Sequence, residues 1–157
     1  MYACVTRFTN ETWEQNQRFW DNKGNIIVYN SPTRLSDKIP FRSNIIIFEM
    51  NNSINKIMGI SYLINNDMKT RKYKIYDNDD YNRYSYQAKH RIDAQNMDEE
   101  ELNIMIFFEH IFFKGRAHFK KGRGINLIND KKLFDKCKHV LDLKEFLLLM
   151  FKKRSLL

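Results

Sequence analysis

The 157-residue sequence predicts a single α+β domain over residues 1–157, with about five or six strands and three or four helices. Two observations lead to this prediction. The apolar run Asn44–Met50 is followed, after a short turn, by a second segment of strand character. Further along, the apolar segment Leu102–Phe113 has the length of a helix and follows a cluster of acids. Because 43% of the residues are hydrophobic, a disordered chain is excluded.

The first predicted elements are a helix and a short strand. Residues Asn10–Trp20 have a helical pattern with acids in the first turn. The expected cap is Thr9, Asn10 or Thr12. After a polar turn, Ile26–Tyr29 is predicted to be a strand, which Ser31-Pro32 ends.

A β-hairpin is the clearest prediction. Asn44–Met50 is a buried strand by its length and its isoleucines, and Asn51-Asn52-Ser53 has the composition of a turn. From Ile57 to Ile64, apolar residues then alternate with the period of two expected of the returning strand. Gly59 within this strand indicates a bulge, a tight bend or the close approach of another backbone.

The second half is predicted to contain three more strands and two helices. The strands are Lys72–Tyr76, Tyr81–Ile92 and Gly124–Ile128. The spacing of Asp98 and Glu101 is that of a capping box, and the helix that follows is expected to be buried and to end at Gly115. A last helix is predicted over Leu141–Lys153.

The charge and the termini narrow the class of protein. Lys and Arg number 27 against 19 acids, which gives a net charge of +8 and is typical of a polyanion-binding protein, although it also serves solubility. The sequence opens without a signal-like apolar segment, and its apolar runs are too short to span a bilayer. We therefore expect an intracellular protein with no membrane partner and with Cys4 and Cys137 reduced.

The segment from residue 114 to residue 124, KGRAHFKKGRG, is the main candidate binding site. It contains five cations, three of the five glycines and no acid. Glycine allows a backbone to approach a phosphate closely, and arginine binds phosphate oxygens in pairs. The predicted nucleic-acid contacts are Arg116, His118, Lys120, Lys121 and Arg123. Phe119 offers a ring for stacking, and the alternative is a solvated loop that only carries charge.

Tyr84, Tyr86 and Arg91 form a second candidate, a stacking platform for single strands. Tyr84 and Tyr86 share one face of a strand. The alternative is that tyrosines simply favour half-buried sheet positions. Trp13 and Trp20 are either core residues or walls of a pocket for a flat ligand.

The sequence predicts no catalytic site, metal site or cofactor. The four histidines are scattered, and neither CxxC, HExxH nor GxSxG occurs. No phosphate-binding GxxxxGK[ST] pattern occurs either. A catalytic cluster assembled only by the fold is an alternative that linear motifs do not test.

Several of these features together resemble a known superfamily. Ile26–Tyr29, Asn30, Leu35, Ile39-Pro40, NIIIFEM and KIMGISYLI are similar to the core of the PUA-like superfamily, in its EVE, YTH and ASCH branches. The resemblance implies a small twisted β-barrel flanked by helices, with a nucleic-acid-binding role. It also implies a pocket for a modified base lined by Trp20, Tyr29 and Asn30.

A second, looser resemblance is to viral proteins. The segments YNRYSYQAKHRID and KGRAHFKKGRGI are similar to uncharacterised proteins of large DNA viruses. This resemblance implies a virus factory or a virion as the location, in place of an ordinary cytoplasmic one.

The function expected from the sequence is a non-enzymatic nucleic-acid-binding module that favours RNA over DNA. One alternative is a virion-associated structural or interaction protein whose basic loop docks an acidic protein partner. The other is a small hydrolase of the ASCH type.

Overall fold

The computed structural model describes residues 1–66, 72–116, 118–129, 131, 133–134, 138–139 and 141–157. These residues form three α-helices and seven β-strands. The strands are β1 Tyr2–Phe8, β2 Val28–Ser31, β3 Asn44–Asn51, β4 Lys56–Ile64, β5 Tyr84–Gln87, β6 His90–Asp93 and β7 Asn126–Leu127. The helices are α1 Asn10–Asn22, α2 Glu99–Phe113 and α3 Leu143–Lys153. Two short 3-10 helices cover Asp79–Asn82 and Ala94–Asn96.

The strands form two sheets. The larger has the order β6-β4-β3-β1-β7, in which β1 and β3 run parallel and the other neighbours antiparallel. The smaller pairs β2 with β5 antiparallel. The predicted α+β class is confirmed. Among the described residues no strand pairing joins the β6 edge to the β7 edge, so the predicted barrel is not confirmed.

Each face of the larger sheet covers its own apolar core. Strand β3 shows the alternation: Ile46 and Phe48 point into the cluster that contains α2 and α3, whereas Ile45 and Ile47 point into the cluster that contains α1 and β2. All four are completely buried. The continuous apolar run of β3 therefore reflects a strand covered on both faces.

The predicted hairpin is confirmed, and Gly59 has a clear role in it. Strands β3 and β4 pair antiparallel, with an irregularity between Phe48 and Met50. A Cβ atom at Gly59 would lie 2.6 Å from the backbone oxygen of Ile92 and 2.9 Å from Glu49 Oε2. Only glycine therefore lets β6 and the Glu49 side chain approach β4 this closely.

The predicted starts of α1 and α2 are also confirmed. Thr9 caps α1 and forms a reciprocal pair of hydrogen bonds with Thr12. Asp98 and Glu101 form the predicted capping box of α2. Both patterns satisfy N–H groups that the first helical turn would otherwise leave unpaired.

The predicted strand over Lys72–Tyr76 is wrong. The backbone N–H groups of Ile75 and Tyr76 donate to Asn82 Oδ1, at 3.0 and 3.1 Å, instead of to a neighbouring strand. A side-chain amide thus replaces the strand ladder as the acceptor, and the segment stays irregular.

The long strand predicted over Tyr81–Ile92 is divided into β5 and β6, which belong to different sheets. At the division, Ala88 N donates to Ile27 and Lys89 N donates to Tyr62, so the chain passes from one sheet to the other. The strand predicted over Gly124–Ile128 contracts to Asn126–Leu127, and the last helix begins at Leu143. Within the described part of the chain, no helix is long and apolar enough to cross a membrane.

Candidate nucleic-acid interface

The described residues 114–116 and 118–125 form a loop between the end of α2 and β7, which we call the basic loop. Three of its glycines adopt positive φ angles: +78° at Gly115, +114° at Gly122 and +65° at Gly124. Side chains rarely tolerate this region, so the glycines set the sharp turns of the loop. Gly115 follows directly on the cap of α2, as the sequence predicts.

Arg116, Lys121 and Arg123 are exposed cations of the basic loop beyond Lys114, which caps α2 and is also exposed. No carboxylate of the described residues pairs with any of the three. Their charge therefore faces solvent without local neutralisation, which is the arrangement that a polyanion requires.

His118 and Lys120 are half-buried, and both take part in hydrogen bonds within the protein. Lys120 Nζ donates to Asn55 Oδ1 at 2.8 Å, and Lys120 N donates to His118 Nδ1 at 3.2 Å. Asn52 Nδ2 also donates to the backbone oxygen of Lys120 at 3.2 Å. These bonds fasten the basic loop to the turn of the β3–β4 hairpin.

Arg7, at the end of β1, is the internal anchor of the basic loop. Its guanidinium donates to the Phe119 backbone oxygen and to Asn126 Oδ1. Burial lowers the pKa of Arg7 to about 10, which still leaves it charged at neutral pH. Sequence reasoning missed Arg7, because a single arginine in an apolar strand carries no local signal.

Phe119 does not serve as the predicted stacking ring. Its side chain packs against Phe112 at a centroid distance of 5.1 Å, and its N–H donates to the Phe112 oxygen at 2.7 Å. The ring is thus a core contact that holds the basic loop against α2.

The basic loop contacts the smaller sheet at Gly124. A Cβ atom there would collide with Ser31 Oγ and lie 3.1 Å from Ser31 Cβ. Ser31 is the β2 residue that pairs with Tyr84 of β5. The basic loop thus meets β2 at the residue whose pairing partner on β5 is Tyr84.

Tyr84 and Tyr86 are half-buried side chains on β5, and each contacts the segment after β2. The Arg34 guanidinium lies over the Tyr84 ring, 5.5 Å from its centroid. Leu35 N donates to the Tyr86 hydroxyl at 2.9 Å. Burial raises the pKa of Tyr86, so its hydroxyl stays protonated at neutral pH.

Arg91 does not belong to the predicted platform. It lies on β6 in the larger sheet, where its guanidinium binds both oxygens of the fully buried Glu49. Its charge also lies over the Trp20 ring, 4.9 Å from the centroid. Burial alone would lower the pKa of Arg91, but the Glu49 carboxylate raises it above its usual value.

Trp20, Tyr29 and Asn30 lie in the core and do not surround an opening. Trp20 Nε1 donates to the Val28 oxygen at 3.1 Å. The Tyr29 hydroxyl contacts Glu49 and Ser61, and burial followed by the Glu49 charge raises its pKa. Asn30 binds Tyr73 O, Asn82 Oδ1 and Ser85 Oγ, at 2.6 to 2.8 Å. Neighbouring residues that contact these three side chains therefore occupy the space in which the sequence predicts a pocket.

Two cavities lie near the residues described above, one near the basic loop and one near Tyr86. One, of about 260 Å³, lies between the hairpin turn and the end of α2, where Glu109 is paired with Lys56 at 3.0 Å. The other, of about 440 Å³, is lined by Tyr86, Lys89 and His90, among others. It lies beside Ile64, at the end of β4 remote from the basic loop. This cavity therefore provides no aromatic wall beside the basic loop.

Comparison with known proteins assigns the chain to no family. The chain matches no protein-family model, no curated protein and no solved structure. Within the described residues, no group of three or more His, Cys, Asp or Glu side chains could hold a metal ion.

Proposed function

We propose that the protein is a non-enzymatic nucleic-acid-binding module that holds the phosphate backbone on its basic loop. The observation that carries this proposal is the exposure of Arg116, Lys121 and Arg123 without a carboxylate partner among the described residues. Arginine and lysine in this state bind phosphate oxygens and release counterions, which supplies affinity without sequence preference.

The fixed backbone of the basic loop supports this function. Arg7, the glycine turns and the Phe119 contact hold the loop before any ligand arrives. A preorganised loop loses less conformational entropy on binding than a free one. The three exposed side chains keep the freedom to follow an irregular backbone.

Tyr84 is the base-stacking residue of the proposed interface. Its pairing partner Ser31 contacts Gly124 of the basic loop, and the Arg34 guanidinium lies over its ring. An aromatic ring beside cations is the usual platform for an unpaired base. A single strand therefore suits this surface better than a duplex.

We propose the preference for RNA over DNA from the resemblance to the PUA-like branches. The β-barrel and the relationship to that superfamily are proposals that rest on the same resemblance. The β3–β4 hairpin with Gly59-Ile60 in its return strand agrees with that resemblance. Recognition of a modified base is not part of the proposal, because Trp20, Tyr29 and Asn30 are buried.

The hydrolase alternative lacks support from the polar cluster around Glu49. Tyr29, Ser61 and Arg91 surround this carboxylate, and Glu49 and Ser61 are completely buried; Arg91 uses its remaining hydrogen bonds on Asp93 and the Met58 oxygen. The cluster lines neither of the two cavities described above. The described residues around Glu49 therefore offer no observation in favour of a hydrolase site.

The experiment is a fluorescence-anisotropy titration of labelled single-stranded RNA, single-stranded DNA and duplex DNA at 50 and 200 mM salt. We expect the single strands to bind more tightly than the duplex, RNA to bind most tightly, and affinity to fall steeply with salt. Binding that ignores salt, or the absence of binding, would contradict the proposal. Poly-glutamate as a competitor tests the acidic-protein alternative: it should displace RNA weakly if the loop selects phosphates.

A further inference from the structure

Helix α2 presents an exposed apolar surface that the core does not use. Its inner side, with Met105, Phe108 and Phe112, is buried in the larger core. On the opposite side Ile106 is 55% exposed, and Leu102 and Phe107 are each 39% exposed. A helix that is already anchored has no need of a second apolar side for folding, so such a side indicates a contact surface.

The charges along this surface have a definite order. The α2 outer face consists of residues that are all exposed, seven on the helix and Lys114 at its C-cap: Glu99, Glu100, Leu102, Asn103, Ile106, Phe107, His110 and Lys114. The acids stand at its beginning, the apolar residues in its middle, and His110 and Lys114 at its end. Neither Glu99, Glu100 nor Lys114 has an ion-pair partner among the described residues.

A surface with this order is complementary to itself when reversed. If two copies of α2 lie antiparallel, with a two-fold axis between Ile106 and Phe107, Ile106 meets Phe107 of the second copy. Glu99 then lies opposite Lys114 of the second copy, because both are seven residues from the central pair. A parallel arrangement would instead place Glu99 against Glu99.

We propose that the protein forms a two-fold symmetric homodimer by antiparallel packing of the α2 outer faces. Isologous contact of this kind is the commonest route to a closed dimer. The second copy suits this face better than a nucleic acid or an acidic peptide, because Glu99 and Glu100 would repel both of these. The net charge of +8 per copy opposes association, so the dimer depends on this local complementarity.

The dimer would give the protein two basic loops. Each loop follows the end of its own α2, and a 15-residue helix is about 22 Å long. The antiparallel arrangement therefore separates the two loops by about the length of the helix. If the proposed function holds, one strand could contact both loops and bind with increased avidity.

Sedimentation equilibrium of the full chain, without nucleic acid, tests the dimer independently of the proposed function. We expect the wild type to dimerise as its concentration rises, and Ile106→Glu to weaken dimerisation at least tenfold. Leu149→Glu is the matched control, since Leu149 is 50% exposed on α3. It should dimerise as the wild type does, and circular dichroism should show all three proteins folded.

Charge reversal tests the antiparallel arrangement itself. Glu99→Lys and Lys114→Glu should each weaken the dimer severalfold, and the double variant should regain most of the loss, because each new charge faces the other across the axis. A wild type that stays monomeric overturns the proposal. So does an unchanged dimer in Ile106→Glu, or a double variant that is weaker than either single one.

Discussion

Arg91 illustrates how the environment of one residue decides its role. Its charge lies in the core against the completely buried Glu49, and Tyr29 and Ser61 complete the hydrogen bonds of that carboxylate. Removing one partner of such a pair leaves an uncompensated charge in a medium of low dielectric constant. The Arg91–Glu49 pair therefore stabilises the larger sheet, although the positions of the two residues in the sequence do not indicate this.

Arg91→Met should lower the free energy of unfolding by about 3–5 kcal/mol, because Glu49 loses its counter-charge while it stays buried. Arg83→Met is the matched control: Arg83 pairs with Asp80 at 2.6 Å, but both side chains are largely exposed. Its loss should be below about 1 kcal/mol. Urea denaturation of both variants measures the difference, and equal losses would contradict the structural role of Arg91.

Glu101 gives the protein a defined response to acid. Burial alone would raise the pKa of Glu101, but the hydrogen bonds from Arg154 and from the Asp98 N–H lower it below the usual 4.5. The folded protein thus holds its proton more weakly than the unfolded chain does. The Glu101–Arg154 contact should therefore contribute its full stability above pH 4.5 and lose it as the pH falls through the lowered pKa.

Substitution of Glu101 by Gln should remove this part of the acid response. Between pH 6 and pH 3 the free energy of unfolding of Glu101→Gln should decline less than that of the wild type. Glu14→Gln changes an exposed carboxylate of α1 in the same way and should retain the wild-type profile. Identical profiles for all three proteins would show that the Arg154 contact does not stabilise Glu101 in its charged form.

Among the elements, the basic loop shows how glycine geometry builds a binding surface. Gly124 and Gly24 have almost equal φ angles, +65° and +67°. They differ in their surroundings: a Cβ atom at Gly24 would have no heavy atom within 4 Å, whereas one at Gly124 would collide with Ser31. Comparing the same substitution at the two positions therefore distinguishes the cost of backbone strain from the effect of the contact that joins the loop to the smaller sheet.

Gly24→Ala should cost only the left-handed strain of about 1–2 kcal/mol. Gly124→Ala should cost about 1–3 kcal/mol more, because the loop must move away from Ser31. It should also weaken RNA binding, while Gly24→Ala should not. Thermal denaturation and anisotropy titrations measure both effects, and equal behaviour of the two variants would mean that the Ser31 contact does not position the loop.

Elements with strong local signals were predictable from the sequence. The Asp98–Glu101 spacing located the start of α2, and the alternation after the turn located β4. Elements that depend on distant partners were not: Asn82 supplies the acceptor that keeps Ile75 out of a strand, and the chain changes sheets at Ala88. Neither event leaves a pattern in the neighbouring residues.

The candidate site was predictable only in its exposed part. Arg116, Lys121 and Arg123 lie outward, in agreement with the density of charge in their segment. The aromatic residues could not be placed in the same way, since a tyrosine or tryptophan suits a core and a ligand surface equally well. Trp20 on α1 and Tyr29 on β2 lie in the core, whereas Tyr84, on the strand that pairs with β2, is half-buried, so strand character alone does not distinguish these positions.

For the whole molecule, the distribution of the charge matters more than its total. Unpaired cations gather on the basic loop at one end of α2, while Glu99 and Glu100 stand at the other. A net charge of +8 alone would attract any polyanion weakly and from all sides. The proposed function requires instead that a few cations on one loop supply most of the affinity.

The most direct measurement compares the RNA affinity of two charge-matched triple variants. One replaces Arg116, Lys121 and Arg123 by Ala. The other replaces Arg18, Lys23 and Lys38, which are exposed cations outside the loop, by Ala. We expect the loop variant to lose most of its affinity and to reduce the salt slope by about 2, as for three lost phosphate contacts on a single strand. The control variant should bind almost as the wild type does. Equal losses in the two variants would contradict the account, because binding would then follow the total charge and not the basic loop.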